Sequence, residues 1–258
     1  LWPEAPGNIC FVYDEGDRRA VDRAFAAAAH VATVTLPITR VSANPLEPRN
    51  AAAMYDEATG RYTLYTADQS PHVLRNELAE VVLQIDESRL RIVTPDCGGS
   101  FGMKYGPYPE QALALWAARR IGRPVRWVAE RSESFLSDHH ARDNVTTASL
   151  ALDADGKFLA LKVDTIANLG AYLDAYGTHS PTNNVGGLAG TYTTPHIAVR
   201  VTGVFSNTNP TSAYRGAGRP EASYAIERVI DAAAADLGVD RVELRRRNMI
   251  PPEGMPFK

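Results

Sequence analysis

The sequence has few cysteines, since Cys10 and Cys97 are the only two among 258 residues. Two thiols are too few for a disulfide framework or a structural zinc site, and an iron–sulfur cluster needs about four cysteine ligands. A reducing compartment is the simplest interpretation. We therefore expect a cytoplasmic protein that holds no iron–sulfur cluster of its own.

Long apolar runs and an excess of one charge are also absent. No stretch approaches the roughly 20 apolar residues of a membrane helix, and the first residues lack the basic and apolar pattern of a signal peptide. The net charge is −3 with both signs spread along the chain, so no basic patch predicts nucleic-acid binding. The 45% hydrophobic and 22% charged residues are typical of a soluble globular protein with neither a membrane nor a nucleic-acid partner.

Apolar spacing and turn residues predict alternating helices and strands. Helices are expected over 17–30, after Ser70, over 109–121, over 220–237 and after Asp240. Strands are expected over 31–41, 90–96 and 125–131, with hairpins turning at 57–60 and at 155–156. This order predicts an α+β fold of mixed sheets with packed helices, in two α/β subdomains covering 1–130 and 131–258.

The segment CGGSFGMK follows a predicted strand. Gly98, Gly99 and Gly102 permit positive φ and close approach of a ligand, and Phe101 between them would project a ring into the enclosed space. Neither the P-loop nor the dinucleotide-binding glycine pattern is present, because Lys104 is followed by tyrosine and no G-x-G-x-x-G occurs. On local sequence alone the segment is either a binding loop or a plain tight turn.

The segment AYRGAGRPEAS places Gly216, Gly218 and two arginines directly before a predicted helix. Arg215 and Arg219 work against the positive end of the helix dipole, where a capping residue would be acidic. An anionic or oxygen-rich ligand held by guanidinium and backbone amides explains this choice. The alternative is that Arg219 and Glu221 are solvated surface charges.

Two weaker signals remain open. The segment SDHHARD offers a notional metal cluster, but adjacent histidines seldom converge on one ion and a polar loop is favoured; its members are Asp138, His139, His140 and Asp143. Gln69 lies just ahead of a predicted helix, where it is either a turn residue or an amide donor for a ligand oxygen.

Five segments taken together resemble the molybdenum-binding large subunit of the xanthine dehydrogenase/aldehyde oxidase family; they are NPLEPR, TADQSPH, DCGGSFGMK, AYRGAGRPEAS and LRRRNMI. The resemblance spans the whole chain. The form AYRGAGR is similar to that of carbon monoxide dehydrogenase large-subunit homologues. In true carbon monoxide dehydrogenases a copper-binding cysteine follows the arginine of this motif. Gly216 stands there, so the resemblance does not imply copper-dependent oxidation of carbon monoxide.

The resemblance implies a molybdopterin cofactor, in its cytosine dinucleotide form, and gives roles to individual residues. Gln69 matches the glutamine that hydrogen-bonds an oxo ligand of molybdenum, and Arg215 matches the arginine that stabilises negative charge developing on the substrate. Phe101 matches the aromatic residue beside the substrate. The other residues expected to contact the cofactor are Gly98, Gly99, Ser100, Gly102 and Gly216. No protein side chain is expected to bind the metal, because the pterin holds it.

The resemblance also implies a reaction and partners. Tyr105 stands where purine-hydroxylating members have a glutamate, so we expect an aldehyde or an aromatic N-heterocycle to be hydroxylated at an electron-poor carbon with oxygen from water. The family's general base is a glutamate in a Gly-Glu context near the end of a longer subunit, whereas Glu253 lies in a segment that reads as a linker.

From the missing base we expect the first half of a molybdopterin-binding domain, inactive alone. Its partners would be the remaining half of the molybdenum subunit and separate subunits with iron–sulfur clusters and FAD. One alternative is a non-catalytic split subunit or degenerate paralogue that binds only cofactor or partner. A weaker alternative is a simple nucleotide-binding domain.

Overall fold

A computed structural model describes residues 1–183 and 185–255. The helices are α1 (Arg18–Ala27), α2 (Pro71–Asn76), α3 (Pro109–Ile121), α4 (Arg131–Ser137), α5 (His179–Thr182), α6 (Arg219–Leu237) and α7 (Arg241–Asn248). The strands are β1 (Ile9–Gly16), β2 (His30–Ile38), β3 (Val41–Ser42), β4 (Asn50–Asp56), β5 (Arg61–Tyr65), β6 (Leu90–Val93), β7 (Val125–Val128), β8 (His140–Ala141), β9 (Asn144–Leu152), β10 (Phe158–Gly170) and β11 (His196–Phe205). Mixed sheets with packed helices confirm the predicted fold class.

The chain forms two compact units that are not contiguous in sequence. Unit 1 comprises Leu1–Val41, Ala141–Ser212 and Gly216–Lys258, and unit 2 comprises Ser42–His140 and Ala213–Arg215. This division differs from the predicted subdomains 1–130 and 131–258, because β1 pairs with β11 and β2 pairs with β9. Residues 256–258 of the second predicted subdomain lie outside the described residues.

Unit 1 is built on a five-stranded sheet in the order β1-β11-β10-β9-β2, in which only the β10–β11 pair is parallel. Helix α6 buries Val229 and Ile230 against Leu150 and Leu161 on one face of the sheet. On the other face, Val21 of α1 packs against small residues, namely Ala151, Ala160 and Ala198. Each large side chain buried in this way contributes about 1.5–3 kcal/mol of hydrophobic free energy.

Unit 2 is built on a four-stranded sheet in the order β6-β5-β4-β7. Leu74 of α2 and Leu115 of α3 pack against Tyr62 and Leu64 in its core. Strands β5 and β6 are parallel, with Tyr65 opposite Val93 at their ends. The segments that follow them, 66–69 and 94–102, therefore leave the sheet at the same edge, as parallel pairing requires. This pairing brings TADQ and CGGSFGMK together.

Most of the predicted elements are present. Asp17 caps α1 by accepting a hydrogen bond from the backbone N–H of Ala20, and α3 ends at Gly122, whose φ is 62°. Both predicted hairpins form, as do α6 and α7. Ser70 precedes α2 as expected, but its side chain accepts no capping hydrogen bond. The sequence patterns do not predict β1, β11 or α4.

Candidate functional site

The glycine segment of unit 2 adopts a backbone that other residues would disfavour. Gly99 and Gly102 have φ values of 104° and 103°, and Phe101 between them has a φ of 56°. A Cβ at Gly102 would lie 2.4 Å from the carbonyl oxygen of Ala213. Glycine is therefore required at position 102, because only a bare backbone lets the segment 213–215 approach so closely.

The side-chain amide of Gln69 is held in one orientation by the glycine segment. Its Oε1 accepts hydrogen bonds from Ser100 Oγ at 2.7 Å and from the backbone N–H of Gly102 at 2.9 Å. The backbone N–H of Gln69 donates to the carbonyl oxygen of Lys104 at 2.9 Å. Gln69 is exposed, and its Nε2 donates to no group in the described parts of the chain. The amide is thus fixed with its N–H donors available to a ligand.

Arg215 belongs to unit 2 and joins the same segment through its backbone. Its N–H donates to the carbonyl oxygen of Phe101 at 2.8 Å. Arg215 is exposed, and Phe101 is 43% exposed, so both residues are accessible to a ligand. The structure therefore brings together all three residues predicted to act in the reaction, Gln69, Phe101 and Arg215.

Gly216 belongs to unit 1, where it opens the turn that leads into α6. Its φ is 93°, and a Cβ there would lie 2.6 Å from Cδ of Pro220. Its carbonyl oxygen accepts a hydrogen bond from the backbone N–H of Arg219 at 3.0 Å. The start of α6 by itself therefore requires glycine at position 216.

Glu47 holds the beginning of the glycine segment. Its Oε2 accepts a hydrogen bond from the backbone N–H of Gly98 at 2.8 Å, and its own N–H donates to the Gly98 carbonyl at 3.2 Å. Lys104 Nζ lies 3.1 Å from the same Oε2. Burial acts to raise the pKa of Glu47, but the hydrogen bonds from Gly98, Lys104 and Asn50 outweigh it and lower the pKa.

Asp68 lies beside Gln69 and is buried, with 5% of its surface exposed. Its Oδ1 accepts a hydrogen bond from the backbone N–H of Ser70 at 2.6 Å, whereas Oδ2 is buried without a partner among the described residues. Burial raises the pKa of Asp68 to about 6, and repulsion from Glu77 adds to the rise. The hydrogen bond from Ser70 and attraction to Lys104 offset part of it.

The side chains of SDHHARD have other partners than a metal ion. Asp138 Oδ1 lies 2.6 Å from Nε of the buried Arg49, and Asp143 Oδ2 lies 2.9 Å from Nη2 of Arg40. The His139 ring stacks on that of Tyr108 with centroids 4.5 Å apart. In residues 1–183 and 185–255 no group of three or more His, Cys, Asp and Glu side chains has an arrangement that could hold a metal ion.

The two charges that follow Gly218 differ in their surroundings. Arg219 is exposed, in agreement with its interpretation as a solvated charge, and its Nη1 lies 3.4 Å from the Gly216 carbonyl. The same interpretation is wrong for Glu221, whose side chain is 11% exposed and lies 2.7 Å from Nη1 of Arg142. Arg142 has a φ of 64°, so a residue in a strained conformation pairs with the first turn of α6.

The chain belongs to the molybdopterin cofactor-binding domain family, whose sequence profile matches residues 1–249. The family resemblance identified from the five motifs is thereby confirmed. None of the described helices is both long enough and apolar enough to cross a membrane.

Individual relatives define the similarity further. The chain is 38% identical to the carbon monoxide dehydrogenase large chain of Hydrogenophaga pseudoflava, over 99% of this chain and 32% of that one. It is 37% identical to the 6-hydroxypseudooxynicotine dehydrogenase complex subunit gamma of Paenarthrobacter nicotinovorans, over 92% of this chain and 30% of that one. Quinoline 2-oxidoreductase from Pseudomonas putida 86 superposes with a TM-score of 0.89 at 35% identity, over 97% of this chain and 32% of that one. The chain therefore spans about a third of the length of these relatives.

Proposed function

We propose that the protein containing this chain is a molybdenum hydroxylase that oxidises an aromatic N-heterocycle, or else an aldehyde, at an electron-poor carbon with oxygen from water. The observation that supports this proposal is the fixed amide of Gln69, whose Oε1 accepts two hydrogen bonds while Nε2 remains available. Phe101 and Arg215 lie on the same loop system, joined by a backbone hydrogen bond. In this proposal the complete reaction needs a longer protein, of which the chain supplies one part.

The residues fit a molybdopterin cofactor, which we propose in its cytosine dinucleotide form. When bound, this group supplies a two-electron oxidation centre at molybdenum. Gln69 Nε2 would donate a hydrogen bond to an oxygen of that centre, a neutral contact suited to an oxo group. The positive φ of Gly99 and Gly102 lets the backbone approach a large ligand, and Gly98 and Ser100 complete the proposed contacts of unit 2. No carboxylate or imidazole is required, since the pterin would hold the metal.

Arg215 and Phe101 would act on the substrate. A guanidinium is always protonated, so Arg215 would stabilise negative charge on a ring nitrogen or carbonyl oxygen without exchanging a proton. The exposed ring of Phe101 would stack against a flat aromatic substrate. The similarity to quinoline 2-oxidoreductase favours an N-heterocycle over an aldehyde. Tyr105 argues against purines, and Gly216 argues against carbon monoxide.

Electrons would leave through separate subunits that contain iron–sulfur clusters and FAD. Two relatives are named a large chain and a complex subunit gamma, which supports an assembly of several chains. The remaining part of the molybdenum subunit would supply the general base. We place the assembly in the cytoplasm, in keeping with the free thiols of Cys10 and Cys97.

A second candidate function is a split subunit or degenerate paralogue that binds cofactor or partner without catalysis. It rests on Glu253, which is exposed in the single turn Pro252–Gly254 and is therefore poorly suited to act as a buried base. In this case the complete protein would contain molybdenum and pterin but would not turn over.

The decisive experiment uses the full-length protein with its partner subunits, purified from a host that makes molybdopterin. Molybdenum and released pterin are quantified, and oxidation of quinoline, benzaldehyde, xanthine and carbon monoxide is measured with an artificial electron acceptor. We expect stoichiometric cofactor and the highest kcat/KM with quinoline. Cofactor without turnover would favour the second candidate, and absence of both molybdenum and pterin would contradict the family role.

A further inference from the structure

Lys104 is a buried cation whose charge is neutralised within unit 2. Its side chain is 2% exposed, and its Nζ lies 3.1 Å from Glu47 Oε2. Lysine is seldom buried so completely, because removing an ammonium group from water is costly unless a partner compensates. A buried ammonium group at the end of a glycine segment therefore needs an explanation beyond solubility or chain stability.

The backbone of Lys104 takes part in a closed set of hydrogen bonds with Gln69 and Ser100. The Lys104 carbonyl accepts from the Gln69 N–H at 2.9 Å, and the Lys104 N–H donates to Ser100 Oγ at 3.1 Å. Ser100 Oγ in turn donates to Gln69 Oε1 at 2.7 Å. A displacement of Lys104 would therefore disturb Ser100 Oγ, one of the two donors that fix the Gln69 amide, and also the backbone of Gln69 itself.

Glu47 connects the two ends of the segment 98–104. Its Oε2 accepts from the backbone N–H of Gly98 at 2.8 Å and from Lys104 Nζ at 3.1 Å, and its Oε1 accepts from Asn50 Nδ2 at 3.0 Å. One carboxylate oxygen thus sets the separation of the first and last residues of the segment. A Cβ at Gly98 would lie 2.5 Å from Cβ of Glu47, which shows how closely the two backbones approach.

We propose that Glu47 and Lys104 are positioning residues, whose ion pair fixes the glycine segment and thereby holds Gln69 Nε2 in its donating orientation. The last step rests on the proposed function, since it assumes that the Gln69 amide meets an oxygen of the molybdenum centre. The positioning itself concerns only residues of unit 2. Neither Lys104 nor Glu47 would touch the substrate.

The ion pair predicts an asymmetry between its two single variants. Lys104→Met removes the ammonium group but leaves Glu47 with hydrogen bonds from Gly98 and Asn50. Glu47→Gln leaves the buried ammonium group without the carboxylate that it contacts, which is the costlier defect. The double variant removes both charges, so its effect should be smaller than the sum of the two single effects.

The test uses hydrogen–deuterium exchange of the full-length complex, followed on a peptide that covers 98–104. The amides of Gly98, Gly102 and Lys104 are bonded to Glu47, Gln69 and Ser100, so they report directly on the segment. We expect both single variants to raise the exchange rate of this peptide at least 10-fold. Lys104→Arg should keep most of the protection. The exchange rate of the double variant should be lower than that of Glu47→Gln.

The matched control is the pair Arg75–Glu87 of the same unit, at 3.0 Å, in which both side chains are more accessible than Lys104, at 33% and 42% exposed. Arg75→Met should leave exchange over 98–104 unchanged. Unchanged exchange in both Lys104→Met and Glu47→Gln would overturn the proposal. The same result would stand whether or not the protein contains molybdenum, so it is independent of the proposed function.

Two further readouts test the link to Gln69. In the loaded enzyme, Lys104→Met should lower kcat per molybdenum by about 10–100-fold with little change in KM, as expected for loss of a group that orients another. The electron paramagnetic resonance signal of the reduced molybdenum should also shift. A wild-type kcat per molybdenum together with an unshifted signal would contradict the link, whereas wild-type protein without molybdenum would contradict only the proposed function.

Discussion

The backbone N–H of Arg215 donates a hydrogen bond to the carbonyl oxygen of Phe101 at 2.8 Å. This contact joins the motif AYRGAGR to the glycine segment through main-chain atoms alone. The absence of a side chain at Gly102 permits it, because a Cβ there would meet the Ala213 carbonyl. A substitution of the Arg215 side chain therefore leaves this main-chain hydrogen bond available.

Arg215→Ala should lower kcat of the full-length enzyme by about 100–1000-fold, the usual cost of removing a group that stabilises developing negative charge. Molybdenum and pterin content should not change. Arg215→Lys should be intermediate, since an ammonium retains the charge but not the planar geometry. Steady-state kinetics normalised to molybdenum measure the effect, with the exposed Arg120→Ala as control. Unchanged turnover in Arg215→Ala would disprove the assigned role.

Gly102→Ala should destabilise the protein by about 2–3 kcal/mol, because it combines a steric clash with a strained backbone. Gly102 has a φ of 103° and a virtual Cβ 2.4 Å from the Ala213 carbonyl. The matched control is Gly122→Ala, where φ is 62° and no atom lies within 4 Å of the added Cβ. The free energy of unfolding of Gly122→Ala should fall by only about 1 kcal/mol. Equal losses in denaturant unfolding would show that the close approach of 213–215 is unimportant.

Asp68→Asn should make stability less dependent on pH. The pKa of Asp68 is raised from its ordinary value of 3.8 to about 6 in the folded protein, so the folded state favours the protonated form. Stability should therefore fall as the pH rises from about 4 to about 6. One pKa unit corresponds to about 1.4 kcal/mol, which sets a ceiling of about 3 kcal/mol.

Asparagine keeps the acceptor for Ser70 but adds an amide group that also lacks a partner, which offsets part of the gain. We therefore expect the free energy of unfolding of Asp68→Asn to exceed that of the unmodified protein by about 1–2 kcal/mol at pH 7.5. Near pH 4 the free energies of unfolding of Asp68→Asn and of the unmodified protein should be nearly equal. Urea unfolding at both pH values provides the measurement. A stability difference between the two proteins that is the same at both pH values would indicate that Asp68 does not titrate in this range.

Asn248→Ala should cost about 2–4 kcal/mol, because it removes three buried hydrogen bonds. Asn248 Nδ2 donates to the carbonyls of Gly156 and Leu244 at 2.9 Å each, and its Oδ1 accepts from the Phe158 N–H at 2.8 Å. It therefore fixes the β9–β10 hairpin to α7. Thermal unfolding should show a large loss for this variant and little change for Arg246→Ala. If Asn248→Ala lost little thermal stability, Asn248 would not be the residue that fixes the hairpin to α7.

Local signals were enough to predict the elements whose determinants are close in sequence. The turn at Gly156 and the helix end at Gly122 both follow from residues within a few positions. Strands β1 and β11 pair with each other across most of the chain, and no local pattern contains that information. The subdomain boundary near Glu130 assumed contiguous segments, whereas the first 41 residues join the sheet of unit 1.

The candidate site was predictable only in part, for a similar reason. Resemblance identified Gln69, Phe101 and Arg215, but their meeting depends on the parallel pairing of β5 and β6. The pair Glu47–Lys104 was not predicted, because ion pairs between distant segments leave no spacing pattern. Both residues belong to quoted motifs, NPLEPR and DCGGSFGMK, and that coincidence was the one available signal. Glu221 was misread for the same reason, since its partner Arg142 is remote in sequence.

The three residues Ala213–Arg215 belong to unit 2 although the rest of that unit ends at His140. A ribosome adds about 5–20 residues per second, so most of unit 2 leaves the exit tunnel seconds before Arg215 is made. Until then the carbonyl of Phe101 lacks its partner. The order of synthesis therefore gives the sheet of unit 2 time to form first and leaves the candidate site to be completed last.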